Sequence, residues 1–232
     1  MQQPVPRIVL FGSEGGFSRR VLEQLLRNDE LCVRAIVMPG IATPRSTDTI
    51  DTGAIIPLER PPDSSSLAGL ADARQIPVIR TPNGNDPAIL TRLARLDADL
   101  YLVACFPFKL AAAIWRLAGK ACWNIHPSLL PKYRGPSPIA WQLQHEETDT
   151  GISLHEVSDQ LDGGDIVAQQ SIRLPAQTDA DAINQWIAEH GIELFIRALS
   201  GLQNGTLATT KQDESAASYF PRIPAKQNLS TA

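Results

Sequence analysis

Arg7-Ile-Val-Leu-Phe-Gly-Ser-Glu-Gly-Gly16 is an apolar run that breaks into a glycine-rich turn. Beyond it, Phe17, Val21, Leu22, Leu25 and Leu26 recur at the spacing of one helix face. Leu31–Met38 follows as a second run, rich in apolar and β-branched residues, and reads as a strand. Strand, glycine turn, helix and strand make a βαβ unit, which requires parallel strands joined by a crossover.

Working outward, the same alternation continues. Pro39–Asp63 carries many prolines, serines and threonines without a period and reads as a long, partly mobile loop. Ser64–Gln75 predicts a helix with Leu67, Leu70 and Ala71 inward, and Pro77–Thr81 a short strand. Asp86-Pro87 is a helix start, with Asp as N-cap and Pro at the first helical position. Asp99–Cys105 predicts an apolar strand, 111–117 a helix and 121–125 a further strand. This is the pattern of an open, doubly wound, mostly parallel α/β sheet of Rossmann-like type.

After residue 150 the pattern changes. Gly151–Val157 and Asp165–Leu174 read as an antiparallel pair, giving the domain a C-terminal antiparallel portion. Asp179–Leu199 predicts a long amphipathic helix, and Thr206–Asp213 an edge strand. Residues 1–205 are therefore expected to form one catalytic domain, with 206–232 as a partly irregular extension.

Composition narrows the class. The 232 residues are 43% hydrophobic and 20% charged, ordinary for a globular protein. The net charge of −4 supplies no overall basic field, which argues against a nucleic acid partner. Cys32, Cys105 and Cys122 are odd in number and form no CxxC, so neither a disulfide framework nor a zinc site is expected. Cys105 and Cys122 lie in apolar stretches and are expected to be buried. No signal peptide or membrane span is visible, which predicts a cytoplasmic protein with no membrane partner. A homodimer is compatible with this reading.

Two segments carry the chemistry. Asn124-Ile-His-Pro-Ser-Leu-Leu-Pro-Lys-Tyr-Arg-Gly135 follows a strand end, where ligands bind in open α/β sheets. Alternation along the strand puts the Asn124 amide and the His126 imidazole on one face. Asp159-Gln-Leu-Asp-Gly-Gly-Asp165 links the two late strands, and Gly163-Gly164 permits a sharp positive-φ turn that aims Asp162 at the cleft. His126 has no second ligand at metal spacing, so no metal is expected. His145, His155 and His190 read as structural.

Together these two motifs resemble the 10-formyltetrahydrofolate-dependent formyltransferase family. That family includes glycinamide ribonucleotide formyltransferase, the catalytic domain of methionyl-tRNA formyltransferase, sugar-amine formyltransferases and a formyltetrahydrofolate hydrolase domain. Asn124 and Asp162 stand 38 positions apart, matching the family's catalytic spacing. The resemblance covers roughly residues 7 to 200. It implies a co-substrate, 10-formyltetrahydrofolate, and a catalytic set of Asn124, His126 and Asp162. Asn124 would donate to the developing oxyanion, His126 would stabilise that charge and shuttle a proton, and Asp162 would orient His126. Phe106, Pro107, Phe108, Lys109 and Leu110 would line the pterin pocket, with Asp159, Gln160 and Leu161 closing the other side. Phe106 and Phe108 read equally well as core aromatics.

The acceptor is less determined. By the same resemblance Gly12-Ser13 reads as an acceptor-binding turn, although a tight strand–helix connection explains its glycine as well. Arg134 would bind acceptor phosphate or orient a loop, or stand as a solvated charge. Tyr219-Phe220-Pro221-Arg222 is similar to the end of the catalytic domain in the methionyl-tRNA and sugar branches, but the Asp-Trp or Glu-Trp expected after it is missing. The 232 residues leave no length for the β-barrel that holds tRNA in that branch. The expected acceptor is therefore a small amine, such as an amino sugar nucleotide. A methionyl-tRNA formyltransferase-like protein without the tRNA-binding domain, a hydrolase of the same donor and a non-catalytic folate-binding module are the alternatives.

Overall fold

The fold was analysed in a computed structural model that describes residues 4–40, 63, 65–173 and 179–223. The βαβ unit is present as β1 (Arg7–Gly12), α1 (Gly16–Leu26) and β2 (Cys32–Pro39). There follow α2 (Leu67–Ala73), β3 (Val78–Thr81), α3 (Pro87–Ala94), β4 (Leu100–Ala104) and α4 (Ala112–Trp115). Then come β5 (Ala121–His126), α5 (Pro138–Gln144), β6 (Asp149–Glu156), β7 (Ile166–Arg173) and α6 (Ala180–Gln203). The loop expected over Pro39–Asp63 lies almost wholly outside the described residues, as does the end of the tail.

The seven strands form one sheet in the order β3-β2-β1-β4-β5-β6-β7. β3 to β5 run parallel, and β5–β6 and β6–β7 are antiparallel. The chain order reverses between β1 and β4, which places a crevice outside the carboxyl ends of those strands. β4 is buried at every position, as a parallel strand covered on both faces must be. One face packs Leu10, Leu102, Trp123 and Ile125 against α1, α2 and α6. The other packs Val9, Tyr101, Val103 and Cys122 against α3 and α4.

The Asp86-Pro87 helix start is formed as expected, and Asp179 caps α6 in the same way. Asp86 accepts from the Ala88 amide, and Asp179 from the Ala182 amide. Three features differ. Pro138–Gln144 is helical, a segment with no predicted element. Thr206–Asp213 is not a strand: Thr210 makes one bridge to Ile166, and the chain then turns inward under the site. Cys105 is exposed rather than buried, because β4 ends at Ala104 and the next residue turns out at φ 59°. Cys122 is buried as expected, and burial pushes its thiol pKa far up. Among the described residues no helix is long and apolar enough to cross a membrane.

Candidate active site

Asn124 and His126 are the last alternate residues of β5 and share a face, as the strand period requires. The antiparallel register sets Asn124 directly opposite His155 on β6, so His155 joins the same face. Asp162 comes from the β6–β7 connection. It takes the left-handed φ of 52° itself, which brings its carboxylate back over β5.

That corrects the expected role of the glycine pair, which is space rather than positive φ. A Cβ on Gly164 would stand 1.9 Å from the Glu156 carbonyl oxygen, and one on Gly163 2.5 Å from the Gln160 side chain. At Gly164 the obstacle is backbone, so the connection can fold this tightly only without a side chain there, whereas at Gly163 it is the exposed Gln160 side chain.

The four side chains interlock. His155 is 2% exposed, and burial lowers its pKa to about 4, with the Asp162 carboxylate opposing the shift. A neutral ring carries one N–H, and His155 Nδ1 donates it to the Glu156 carbonyl at 2.8 Å. Nε2 is thereby an acceptor and takes an N–H from Asn124 Nδ2 at 3.1 Å. This fixes which end of the Asn124 amide faces inward. The second N–H of that amide makes a long contact, 3.4 Å, to Asp162 Oδ1.

His126 Nε2 donates to the Tyr133 carbonyl at 2.9 Å, so Nδ1 faces Asp162 Oδ2, 3.8 Å away. Asp162 Oδ2 also accepts the Gly135 amide at 2.8 Å. Each imidazole is thus anchored by one nitrogen on a backbone carbonyl and presents the other to the carboxylate.

His126, His155 and Asp162 offer donor atoms within 4.8 Å of one another and are, among the described residues, the one group of three with metal-ligating side chains. The Asn124 N–H groups point into the middle of this group. Positive amide hydrogens there oppose a cation and favour an oxygen carrying negative charge.

These groups lie in a cleft of about 1110 Å³ at the carboxyl ends of β1, β4 and β5. All five residues Phe106–Leu110 line it, as do Gln160 and Leu161 opposite. Asp159 is exposed and lies outside that lining. Phe106 and Phe108 are neither wholly core nor wholly cleft residues. They continue an edge-to-face stack from buried Phe11, with centroids 5.5 and 5.4 Å apart, and remain half-exposed to the cleft. The apolar wall with nearby backbone groups suits a flat heteroaromatic ring.

The three acceptor residues separate. Ser13 lines the cleft, with its hydroxyl 3.7 Å from the Cys105 sulfur. Gly12 does not, and a Cβ there would meet Ser18 Cβ at 2.9 Å, so its place reflects the tight strand–helix connection. Arg134 is 5% exposed and engaged within the chain. Its guanidinium donates twice to Gln212 Oε1 and to both carboxylate oxygens of Glu214. The geometry favours its loop-orienting reading over a phosphate-binding one.

His155, Gly135 and Gln212 were not singled out from the sequence. His155 reads as structural in the sequence because strand register does not show in a single strand's pattern. His145 and His190 match their structural readings: His145 Nδ1 bonds the Tyr133 hydroxyl, and His190 stacks on Trp186.

The formyl transferase family model matches residues 8–199. A methionyl-tRNA formyltransferase from Syntrophus aciditrophicus is 35% identical over 159 residues, covering 68% of this chain and 51% of that protein. The chain spans about half to two thirds of the length of the curated relatives it matches. Glycinamide ribonucleotide transformylase 1 from Symbiobacterium toebii superposes with a TM-score of 0.67 at 18% identity, covering 91% of this chain and 96% of that one. WlaRD, a sugar 3N-formyl transferase solved in the presence of dTDP and 5-N-formyl-THF, gives a TM-score of 0.62 at 18% identity, over 94% and 70% of the two chains. Both likenesses concern the fold.

Proposed function

Because the chain belongs to the formyl transferase family, we propose that it carries a formyl group from 10-formyltetrahydrofolate to a primary amine. The observation that carries this reading is the convergence of Asn124, His126 and Asp162 at the floor of the switch-point cleft.

Each group has a task that its contacts suit. The acceptor nitrogen attacks the formyl carbon, and negative charge builds on the formyl oxygen. The loosely held N–H of Asn124 donates to that oxygen, while the other stays anchored on His155. His126 Nδ1 faces Asp162, so a proton passing through that nitrogen lies between the ring and the carboxylate. The amine loses one proton as the new C–N bond forms. N10 of the folate gains one as its bond to carbon breaks, so His126 and Asp162 need only relay a proton across the cleft. Phe106 and Leu110 hold the donor ring, with Gln160 and Leu161 facing them.

The acceptor we propose is a small amine of amino-sugar type. The acidic net charge of −4 and the sugar transferase among the fold neighbours support it. Methionyl-tRNA is the second reading, favoured by the names of the sequence relatives. A screen with donor labelled in the formyl group decides between them: label is expected in an amino sugar nucleotide and not in methionyl-tRNA. Label released as formate without any acceptor would instead identify a hydrolase. Failure of the donor to bind, measured by calorimetry, would end the folate reading altogether.

A further inference from the structure

We propose that Gln212, in the tail beyond the family-matched residues, is a positioning residue that holds Asp162 over the reacting groups. The proposal rests on the reading of Asn124, His126 and Asp162 as the reacting site.

Gln212 joins two loops that the sheet does not connect. Its Nε2 donates to the Asp162 carbonyl at 2.8 Å and to the Gly164 carbonyl at 2.7 Å. Its Oε1 accepts from Arg134 Nη2 at 2.7 Å and from Arg134 Nε at 3.1 Å. Both hydrogens and the oxygen of the amide are used, so neither a carboxylate nor an ammonium could replace it. On one side it grips the β6–β7 connection, on the other the loop after β5. The residue after Arg134 is Gly135, whose amide holds Asp162 Oδ2 at 2.8 Å. Asp162 is therefore clamped at its carbonyl by Gln212 and at its carboxylate by Gly135.

The clamp has work to do. Asp162 sits at a left-handed φ of 52°, a conformation that costs a residue with a Cβ some backbone strain, less for Asp than for most. Without Gln212 the Asp162 and Gly164 carbonyls lose that partner and the connection can relax. The 3.8 and 3.7 Å separations of Asp162 from His126 and His155 would then open. Gln212 is itself fixed in place. Two residues earlier Thr210 exchanges backbone hydrogen bonds with Ile166, and further on Phe220 donates to the Arg134 carbonyl.

The test is Gln212→Ala together with Gln212→Glu, which keeps the Arg134 contact and loses the donor. Both variants are expected to lower kcat about tenfold while KM for donor and amine stays within about twofold. Placed in an Asp162→Asn background, neither should cause further loss, because the effect runs through Asp162. A readout independent of activity is the Gly135 amide in 15N-labelled protein. It is expected downfield and slowly exchanging in the wild type, and upfield and fast in both variants. An unchanged Gly135 amide, a rise in KM alone, or a full additional loss in the Asp162→Asn background overturns the proposal. Should the protein transfer no formyl group, the Gly135 amide still decides whether Gln212 holds Asp162, so the two readings fail separately. If Gln212→Ala does not fold, the near-isosteric Gln212→Glu carries the same measurements.

Discussion

His155 ties the chemistry to stability at the residue scale. Its folded pKa of about 4 lies below the value near 6.5 of an unfolded histidine. The unfolded chain therefore binds a proton first as pH falls. The stability contribution is complete above pH 6.5 and is lost progressively down to pH 4. Between pH 7 and pH 4.5 this costs on the order of 2 kcal/mol. Urea denaturation at the two pH values should show that loss in the wild type and a clearly smaller one in His155→Gln. An identical pH slope in the variant would mean that His155 is not held neutral by burial. For turnover, His126→Ala should lower kcat by about 100-fold or more. Asn124→Ala should lower it by about 100- to 1000-fold, since it removes the donor aimed at the developing charge. Steady-state rates with a saturating amine check both. Asn124 and His126 were legible because two residues apart on one strand share a face. His155 was not, because its partnership with Asn124 is a matter of register between strands 31 positions apart.

At the scale of elements, the β6–β7 connection is tightly constrained. Gly164→Ala would drive a Cβ to 1.9 Å from the Glu156 carbonyl, a backbone atom that cannot swing away. The expected outcome is loss of activity and a fall in Tm, measurable by calorimetry. Glu156 stays where the β6 ladder puts it, so the connection must move and take Asp162 with it. Helix α6 offers a milder case. Asp179→Ala removes the side chain that accepts from the Ala182 amide and should cost about 1 kcal/mol in chemical denaturation, with kcat unchanged. These elements were legible from a cap signal, as at Asp86-Pro87, or from a long apolar period, as over Asp179–Leu199. Helix α5 was not, because Pro138–Gln144 spans only two turns and its buried residues are Pro138 and polar Gln142. The expected edge strand at Thr206–Asp213 failed for a different reason. Its side chains bond inward, Gln212 to the Asp162 loop, in place of continuing the ladder alongside β7.

At the scale of the whole molecule, the sheet order explains why the cleft gathers residues from distant parts of the chain. Parallel strands β1, β4 and β5 all present their carboxyl ends to it, so Ser13, Phe106 and Asn124 meet there. The switch to antiparallel pairing at β6 then brings His155 beside Asn124 and returns the chain through Asp162. The tail closes the arrangement from below, through Arg134, Glu214 and Phe220 stacked on Tyr133. A ligand in this cleft touches loops from four strands and binds the folded state alone. It should therefore stabilise the molecule as a whole. At a concentration 100 times its Kd, 5-formyltetrahydrofolate is expected to add about 2.7 kcal/mol and to raise Tm by roughly 5–10 °C. Phe106→Asp, which places a charge on the apolar wall, should abolish most of that shift while leaving the unliganded fold intact by circular dichroism. A variant that keeps the full shift would move the folate ring away from the Phe106–Leu110 wall. A wild type that shows no shift at all would remove the donor from the cleft.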